Sequence, residues 1–263
     1  MTLWVKHTKA ERIALLQRAE EKFHINQLAL EKDCWVTMVL NALFKCSCSK
    51  ELIFKGGTSL SKGWNLIERF SEDIDLSVNH TFFGIEKTTK NQREKLRKKA
   101  RRYILDVISN ELEDNLKSMG IKGFRIENVE KTIDDNGVAT TVASDKDPSV
   151  ILVHYNSILK TTNEYIPPRV KIEISCLSMN EPTEDRLISS YVEQTFPGED
   201  DATSATIRTV VPTRTFLEKA FLLCEEFQKK EPRHIRMSRH LYDLERLMDT
   251  DFGKQALEDK NLY

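Results

Sequence analysis

Residues 52–78 read LIFKGGTSLSKGWNLIERFSEDIDLSV, and the alternation at the two ends of this stretch decides the fold class. Leu52, Ile53 and Phe54 form an apolar run with the length of a short buried strand. The run breaks at Gly56-Gly57, after which Thr58-Ser59-Leu60-Ser61-Lys62 enters a helix. A second strand is predicted over 73–78. Its period of two puts Asp73, Asp75 and Ser77 on one face and Ile74, Leu76 and Val78 on the other. Two carboxylates therefore project from one side of a strand whose other side is buried.

Carboxylates held that close repel each other unless a cation lies between them or one is protonated. Oxygen donors of this kind suit Mg²⁺ or Mn²⁺. The glycines of the Gly56-Gly57-Thr58-Ser59 turn let the backbone come close to an anion, and the N–H groups of the following helix start are donors for it. Each feature alone is weak, because Gly56-Gly57 serves equally as an ordinary turn and Asp73 and Asp75 as the solvated face of an edge strand. Their conjunction and order carry the reading of a nucleoside triphosphate held with its metal.

FKGGTSLSK followed by RFSEDIDL resembles the first motif of the nucleotidyltransferase superfamily, and in detail the AbiEii/AbiGii-type toxin family within it. The interval from Gly57 to Asp73 is longer than in the general superfamily pattern and similar to that of the toxin family.

The 263 residues suffice for one large domain or two modest ones; 40% hydrophobic and 31% charged residues are ordinary for a soluble globular protein. A net charge of -1 gives no global attraction to nucleic acid or membrane, so any polyanion contact must come from local clustering. The N-terminus lacks the apolar core of a signal peptide and no apolar run is long enough to span a bilayer, which predicts a cytoplasmic protein without membrane contact. Cys46-Ser-Cys48 is the only close cysteine pair, and without a second pair it reads as reduced thiols in a loop rather than as zinc ligands.

A capping box at Thr8 and Glu11 predicts a helix to about Phe23, and Trp35, Val36, Val39, Leu40 and Leu43 predict another over 27–44. A long helix is expected over 91–119. Its first half clusters Arg93, Lys95, Arg97, Lys98, Lys99, Arg101 and Arg102, which fits both a solvated face and a contact with RNA phosphates. A hairpin is predicted from 124–132 and 138–143 around Asp134-Asp-Asn-Gly137, a strand over 150–155, and a strand over 169–176 that places Arg169, Lys171, Glu173 and Ser175 on one face. Segments 182–192 and 207–211 should complete the sheet. From Pro212 onward the pattern is helical, with a capping box at Thr215 and Glu218, an apolar stripe of Phe216, Ala220, Leu223, Cys224 and Phe227, and a last substantial helix carrying Leu241, Leu244 and Leu247.

VKIEIS, TFLEKAFLLCEE and RMSRHLYDL resemble the later motifs of the same toxin family, in the family's order. The resemblance runs from about Glu31-Lys32-Asp33 to the last helix. Cys224 departs from it, standing where the family commonly has His. It implies an α/β (α+β) nucleotidyltransferase-type mixed sheet flanked by helices over residues 1–211, with a helical region over 212–263 completing the cleft. Asp73, Asp75 and Glu173 would hold Mg²⁺ or Mn²⁺. Gly56, Gly57, Thr58 and Ser59, with Lys62, would cradle the phosphates; Lys219 would reach the triphosphate, Lys171 being a weaker candidate, and Asp243 would belong to the helical side of the cleft. His240 reads as a structural hydrogen-bonding residue. Arg69, Arg236 and Arg239 fit both phosphate contacts and ion pairs with the carboxylate strand.

The implied activity is transfer of a nucleoside monophosphate from a nucleoside triphosphate to an acceptor hydroxyl, with RNA at the tRNA acceptor end as the expected acceptor and a cognate antitoxin as the expected partner. Transfer to a protein or small molecule, and a nucleotide-binding module without turnover, are the alternatives.

Overall fold

The computed structural model describes residues 3–85, 89–133, 138–160, 165–177, 182–197, 204–233 and 237–259. Helices α1 (Leu3–Lys6), α2 (Lys9–Phe23) and α3 (Gln27–Leu43) open the chain. The capping box is present: Glu11 N donates to Thr8 Oγ1, and Thr8 N donates to the Glu11 carboxylate. Helix α3 starts at an Asn26 cap and is buried from Ala29 to Leu43, so it has no solvated face and runs through the middle of the main core.

That burial includes three consecutive charges. Glu31 accepts from Ser157 Oγ at 2.6 Å and Ile158 N at 2.8 Å; Lys32 Nζ lies 2.8 Å from the Glu72 carboxylate; Asp33 pairs with Lys62 and accepts from Tyr191 N at 2.8 Å. Buried charges persist only where they are paired. One turn of α3 thus clamps a loop, the residue preceding Asp73, and the end of the helix that begins at Gly56-Gly57.

Strand β1 (Leu52–Lys55) leads directly into α4 (Gly56–Lys62), and β2 (Ile74–Val78) follows. A long helix comes next as α5 (Lys90–Tyr103) and α6 (Ser109–Ser118), joined by a π-helical turn at Ile104–Ile108. The remaining elements are β3 (Phe124–Asn128), β4 (Lys131–Ile133), β5 (Ala139–Thr141), β6 (Ser149–Tyr155), β7 (Arg169–Ser175), β8 (Thr183–Ser189), α7 (Tyr191–Thr195), β9 (Ser204–Val210), α8 (Pro212–Phe227), α9 (Met237–Met248) and α10 (Asp251–Glu258).

Seven strands form one mixed sheet in the order β3-β6-β7-β2-β1-β9-β8, with β2–β7 and β1–β9 parallel and the other pairs antiparallel. This is the expected mixed α/β architecture. Leu60 and Ile67 form a second apolar cluster with Phe216, Leu217, Leu247 and Ala256, which seats α8, α9 and α10 against α4. No helix among the described residues is long and apolar enough to cross a membrane.

Three local expectations are corrected. The predicted hairpin is divided: β3 pairs with β6 in the main sheet, and only β4 and β5 pair with each other; the predicted turn lies outside the described residues. Helix α8 begins at Pro212, as the helical pattern read from there onward requires, but Thr215 and Glu218 lie inside it and are not its cap, because proline is favoured at the first helical position, where no N–H is needed. Of the predicted apolar stripes, Phe227 and Leu241 are exposed at 56% and 48%, and Cys224 is exposed as well.

Candidate active site

The register of three neighbouring strands builds the floor of a cleft. Lys55 on β1 stands opposite Asp75 on β2, and Asp75 stands opposite Glu173 on β7. Residues in register share a sheet face, so a cation and two carboxylates lie in one row across the sheet. Asp73, just before β2, and Lys171, two residues before Glu173 on the parallel β7, make a second row beside the first on the same side of the sheet. Helices α8 and α9 close the other side with Lys219, Arg239 and His240 around a cavity of 340 Å³, within the roughly 300–1,000 Å³ span of small-molecule sites.

Gly56 adopts φ +76°, a conformation that L side chains rarely take, and a Cβ there would overlap the Asp75 carboxylate. At Gly57 a Cβ would stand 2.7 Å from the Arg69 guanidinium. The two glycines let the Asp75 carboxylate and the Arg69 guanidinium come against bare backbone.

On the sheet side negative charge is under-compensated. Burial, then the neighbouring Glu173 and Asp73 carboxylates, push the Asp75 carboxyl up to about 7, against the opposing pull of Lys55 and Lys219. Lys55 is shared with Glu218 at 3.1 Å, and Lys171 is paired with Glu173 at 3.0 Å. On the helical side the balance is reversed. Asp243 is fully buried and receives Arg69 through both Nε at 2.7 Å and its terminal nitrogen at 2.6 Å, plus Lys219 Nζ at 2.8 Å. Burial alone would raise the Asp243 carboxyl, but the two cations outweigh it and hold the group below the ordinary carboxylate range.

The cleft therefore brings together Gly56, Gly57, Asp73, Asp75, Lys171, Glu173 and Lys219, while Asp243 anchors Lys219 from beneath. Thr58 and Ser59 are placed differently. Both are buried: Thr58 Oγ1 donates to the Asp73 carbonyl at 2.5 Å and Ser59 Oγ to the Gly56 carbonyl at 2.9 Å, so their hydroxyls shape the turn from behind. Lys62 is a correction. Its ammonium is used in the buried pair with Asp33 and does not line the cleft.

Of the undecided arginines, Arg69 is an ion-pair residue that also lines the cleft, Arg239 lines it with no ion pair among the described residues, and Arg236 lies outside the described residues. His240 is also corrected: its Nδ1 is buried without a hydrogen-bond partner, and burial and the Lys219 charge push the imidazole pKa down, so that atom fixes no structure. Sequence reasoning missed Lys55, Ser71, Thr215, Glu218 and Leu222 as lining residues. Only Lys55 left a signal, being the last residue of the strand that runs into Gly56-Gly57.

The basic cluster is partly committed to its surroundings. Lys98 pairs with Glu94 at 2.6 Å, Arg102 with Asp106 at 3.5 Å, Lys99 donates to the Phe83 carbonyl at 3.0 Å, and the buried Arg101 to the Val129 carbonyl at 3.1 Å. Burial pushes the Cys46 and Cys48 thiols up to about 12 and about 11, so these cysteines are held protonated, as reduced thiols.

The all-oxygen donor set of Asp73, Asp75 and Glu173 suits a hard divalent cation, and the raised Asp75 shows that these carboxylates feel one another. The set is not preassembled. Among the described residues no group of three His, Cys, Asp or Glu side chains stands arranged to hold a metal ion, and Lys171 occupies Glu173 instead.

Comparison with known proteins adds the following. The family described as "Nucleotidyl transferase AbiEii toxin, Type IV TA system" matches residues 39–261. MenT4, a solved nucleotidyltransferase toxin from Mycobacterium tuberculosis, is 18% identical, with 94% of this chain and 67% of that chain covered and a TM-score of 0.49. No curated protein matches the chain.

Proposed function

Since the chain belongs to the AbiEii nucleotidyltransferase toxin family of type IV toxin–antitoxin systems, we propose that its cleft performs a metal-dependent nucleotidyl transfer onto RNA. A nucleoside triphosphate gives up its nucleoside monophosphate to an acceptor hydroxyl at the tRNA acceptor end. The acceptor oxygen bonds to the α-phosphorus, the bond to the bridging oxygen breaks, pyrophosphate leaves, and the hydroxyl proton passes to solvent. The observation that carries this reading is the Lys55-Asp75-Glu173 row beside Gly56-Gly57, with Lys219 facing it.

Asp73, Asp75 and Glu173 would hold Mg²⁺ or Mn²⁺, which when bound would activate the attacking hydroxyl and stabilise the leaving pyrophosphate. Gly56-Gly57 would bring Asp75 and Arg69 close together at the start of α4, where the triphosphate and its metal would meet both. Lys219, fixed by Asp243 and flanked by Arg69, offers positive charge where the leaving group gains negative charge. In this reading residues 1–211 carry the metal and phosphate side, and residues 212–263 close the cleft. The protein acts in the cytoplasm as the toxin of a cognate antitoxin.

The test is incubation with each α-labelled nucleoside triphosphate, Mg²⁺ and total bacterial RNA, beside Asp75→Ala. Label in a tRNA-sized band with wild type alone is the expected result. Label in protein or a small molecule instead would replace the acceptor and keep the chemistry. Absence of transfer to any acceptor, with growth arrest surviving Asp75→Ala, would leave a nucleotide-binding module.

A further inference from the structure

Asp73 and Lys171 line two concavities. Beside the cleft they border a groove of 550 Å³ whose other walls include Lys32, Tyr165, Pro167 and Arg169. We propose that this groove is the acceptor subsite, holding a single-stranded polynucleotide end with a base stacked on Tyr165 and its phosphates on Arg169 and Lys171. The proposal rests on the transferase reading of the cleft and adds where the second substrate lies.

The geometry of the transfer sets the direction. In an in-line displacement the attacking oxygen enters opposite the leaving group. The features suited to a triphosphate, Gly56-Gly57 and Lys219, are confined to the cleft and absent from the groove. An acceptor laid in the groove meets the cleft at the shared wall of Asp73 and Lys171. Its terminal hydroxyl would thus reach the carboxylates from the side away from Lys219.

The lining favours a polynucleotide. Arg169 and Lys171 are two residues apart on one face of β7, about 7 Å along the strand. Arg169 makes no ion pair among the described residues, while Lys171 has Glu173 and Lys32 has Glu72. Tyr165 stands at the groove 91% exposed. A phenol ring that open encloses no small molecule, but it is a platform for an extended ligand with flat faces. Aromatic stacking beside a line of cations is how single strands are bound without sequence reading. The pair of the buried Lys32 with the partly buried Glu72 beside Asp73 fixes the groove wall and offsets an acid that would repel a phosphate.

Fluorescence anisotropy with a short 5′-labelled single-stranded RNA, in the presence of Mg²⁺ and a non-hydrolysable triphosphate analogue, tests this on the full chain. Tyr165→Ala and Arg169→Ala should each weaken RNA binding about tenfold, Tyr165→Phe should keep it, and affinity for the analogue alone should stay within twofold of wild type, as roughly expected when a base-stacking platform is removed. Equal RNA binding by wild type and variants, no RNA binding by wild type, or a parallel loss of analogue affinity would each overturn the proposal. Label transferred to a polypeptide without RNA binding would also overturn it and give the groove to a protein. RNA binding lost in Tyr165→Ala by an enzyme that transfers nothing would retain the groove and refute the transferase reading instead.

Discussion

Asp75 lines the cleft on its sheet side and Asp243 lies buried behind its helical wall, in opposite electrostatic conditions. Asp75, among Asp73 and Glu173, has its carboxyl raised to about 7, whereas Asp243 has two cations to itself and is held below the ordinary range. The sheet side thus lacks positive charge that a bound cation can supply. The helical side carries its own cations, Arg69 and Lys219, locked in place by a buried acid. Identical side chains therefore stand in different states, one short of positive charge and the other a strut for two cations.

Neutralising the two acids separates these roles. Asp75→Asn should lower turnover by on the order of a thousandfold, read as kcat with saturating nucleotide, because an amide cannot replace a charged metal ligand. Equal loss in Asp243→Asn with unchanged stability would break the comparison. The expected result is that Asp243→Asn destabilises the protein by about 3–5 kcal/mol in chemical denaturation, since it leaves two cations around a neutral group in a buried site.

The metal-free protein extends the test to pH. For Asp75 the folded carboxyl titrates near 7 and the ordinary value is 3.8, so the folded state holds a proton that the unfolded state has lost between those values. Stability from this group is full below the ordinary value and falls as pH rises towards 7. Asp75→Asn should therefore stabilise the metal-free protein at pH 8 by about 1–3 kcal/mol and have no such effect at pH 4, measured as Tm and converted. Asp243 contributes in the other direction: its share is present above the ordinary carboxylate value and is lost as pH falls through the lowered one. The smallest effect is expected at Lys171. Lys171→Met should change stability by less than about 1 kcal/mol, as a half-exposed pair does, yet tighten Mg²⁺ binding a few-fold by releasing Glu173.

The sheet side was legible because its signals are local. Period-two alternation in residues 73–78 and 169–176, and Gly-Gly between a strand and a helix, mark each element within a few residues. The helical side was not, because its meaning depends on pairings distant in sequence. Arg69 and Asp243 are 174 positions apart, and no pattern around either one names the other. Lys62 was expected at the phosphates through the family resemblance, and only the burial of α3 shows that Asp33 claims it. For the same reason β3 was assigned to a hairpin: adjacent strand signals do not reveal that β6 is the better partner. The start of α8 was legible at Pro212, and only the Thr215 capping box was misread, since Pro212 outranks it as a first-turn signal.

The row that unites Lys55, Asp75 and Glu173 also sets a schedule during synthesis. Asp75 and Glu173 meet only when β2 pairs with a strand made nearly a hundred residues later, and Lys219 and Asp243 arrive with α8 and α9, later still. Contacts of such long separation form late and together. A growing chain that has completed only β1, α4 and β2 has neither Glu173 nor the cation-bearing helices α8 and α9. The cleft therefore closes only when nearly the whole chain has been made.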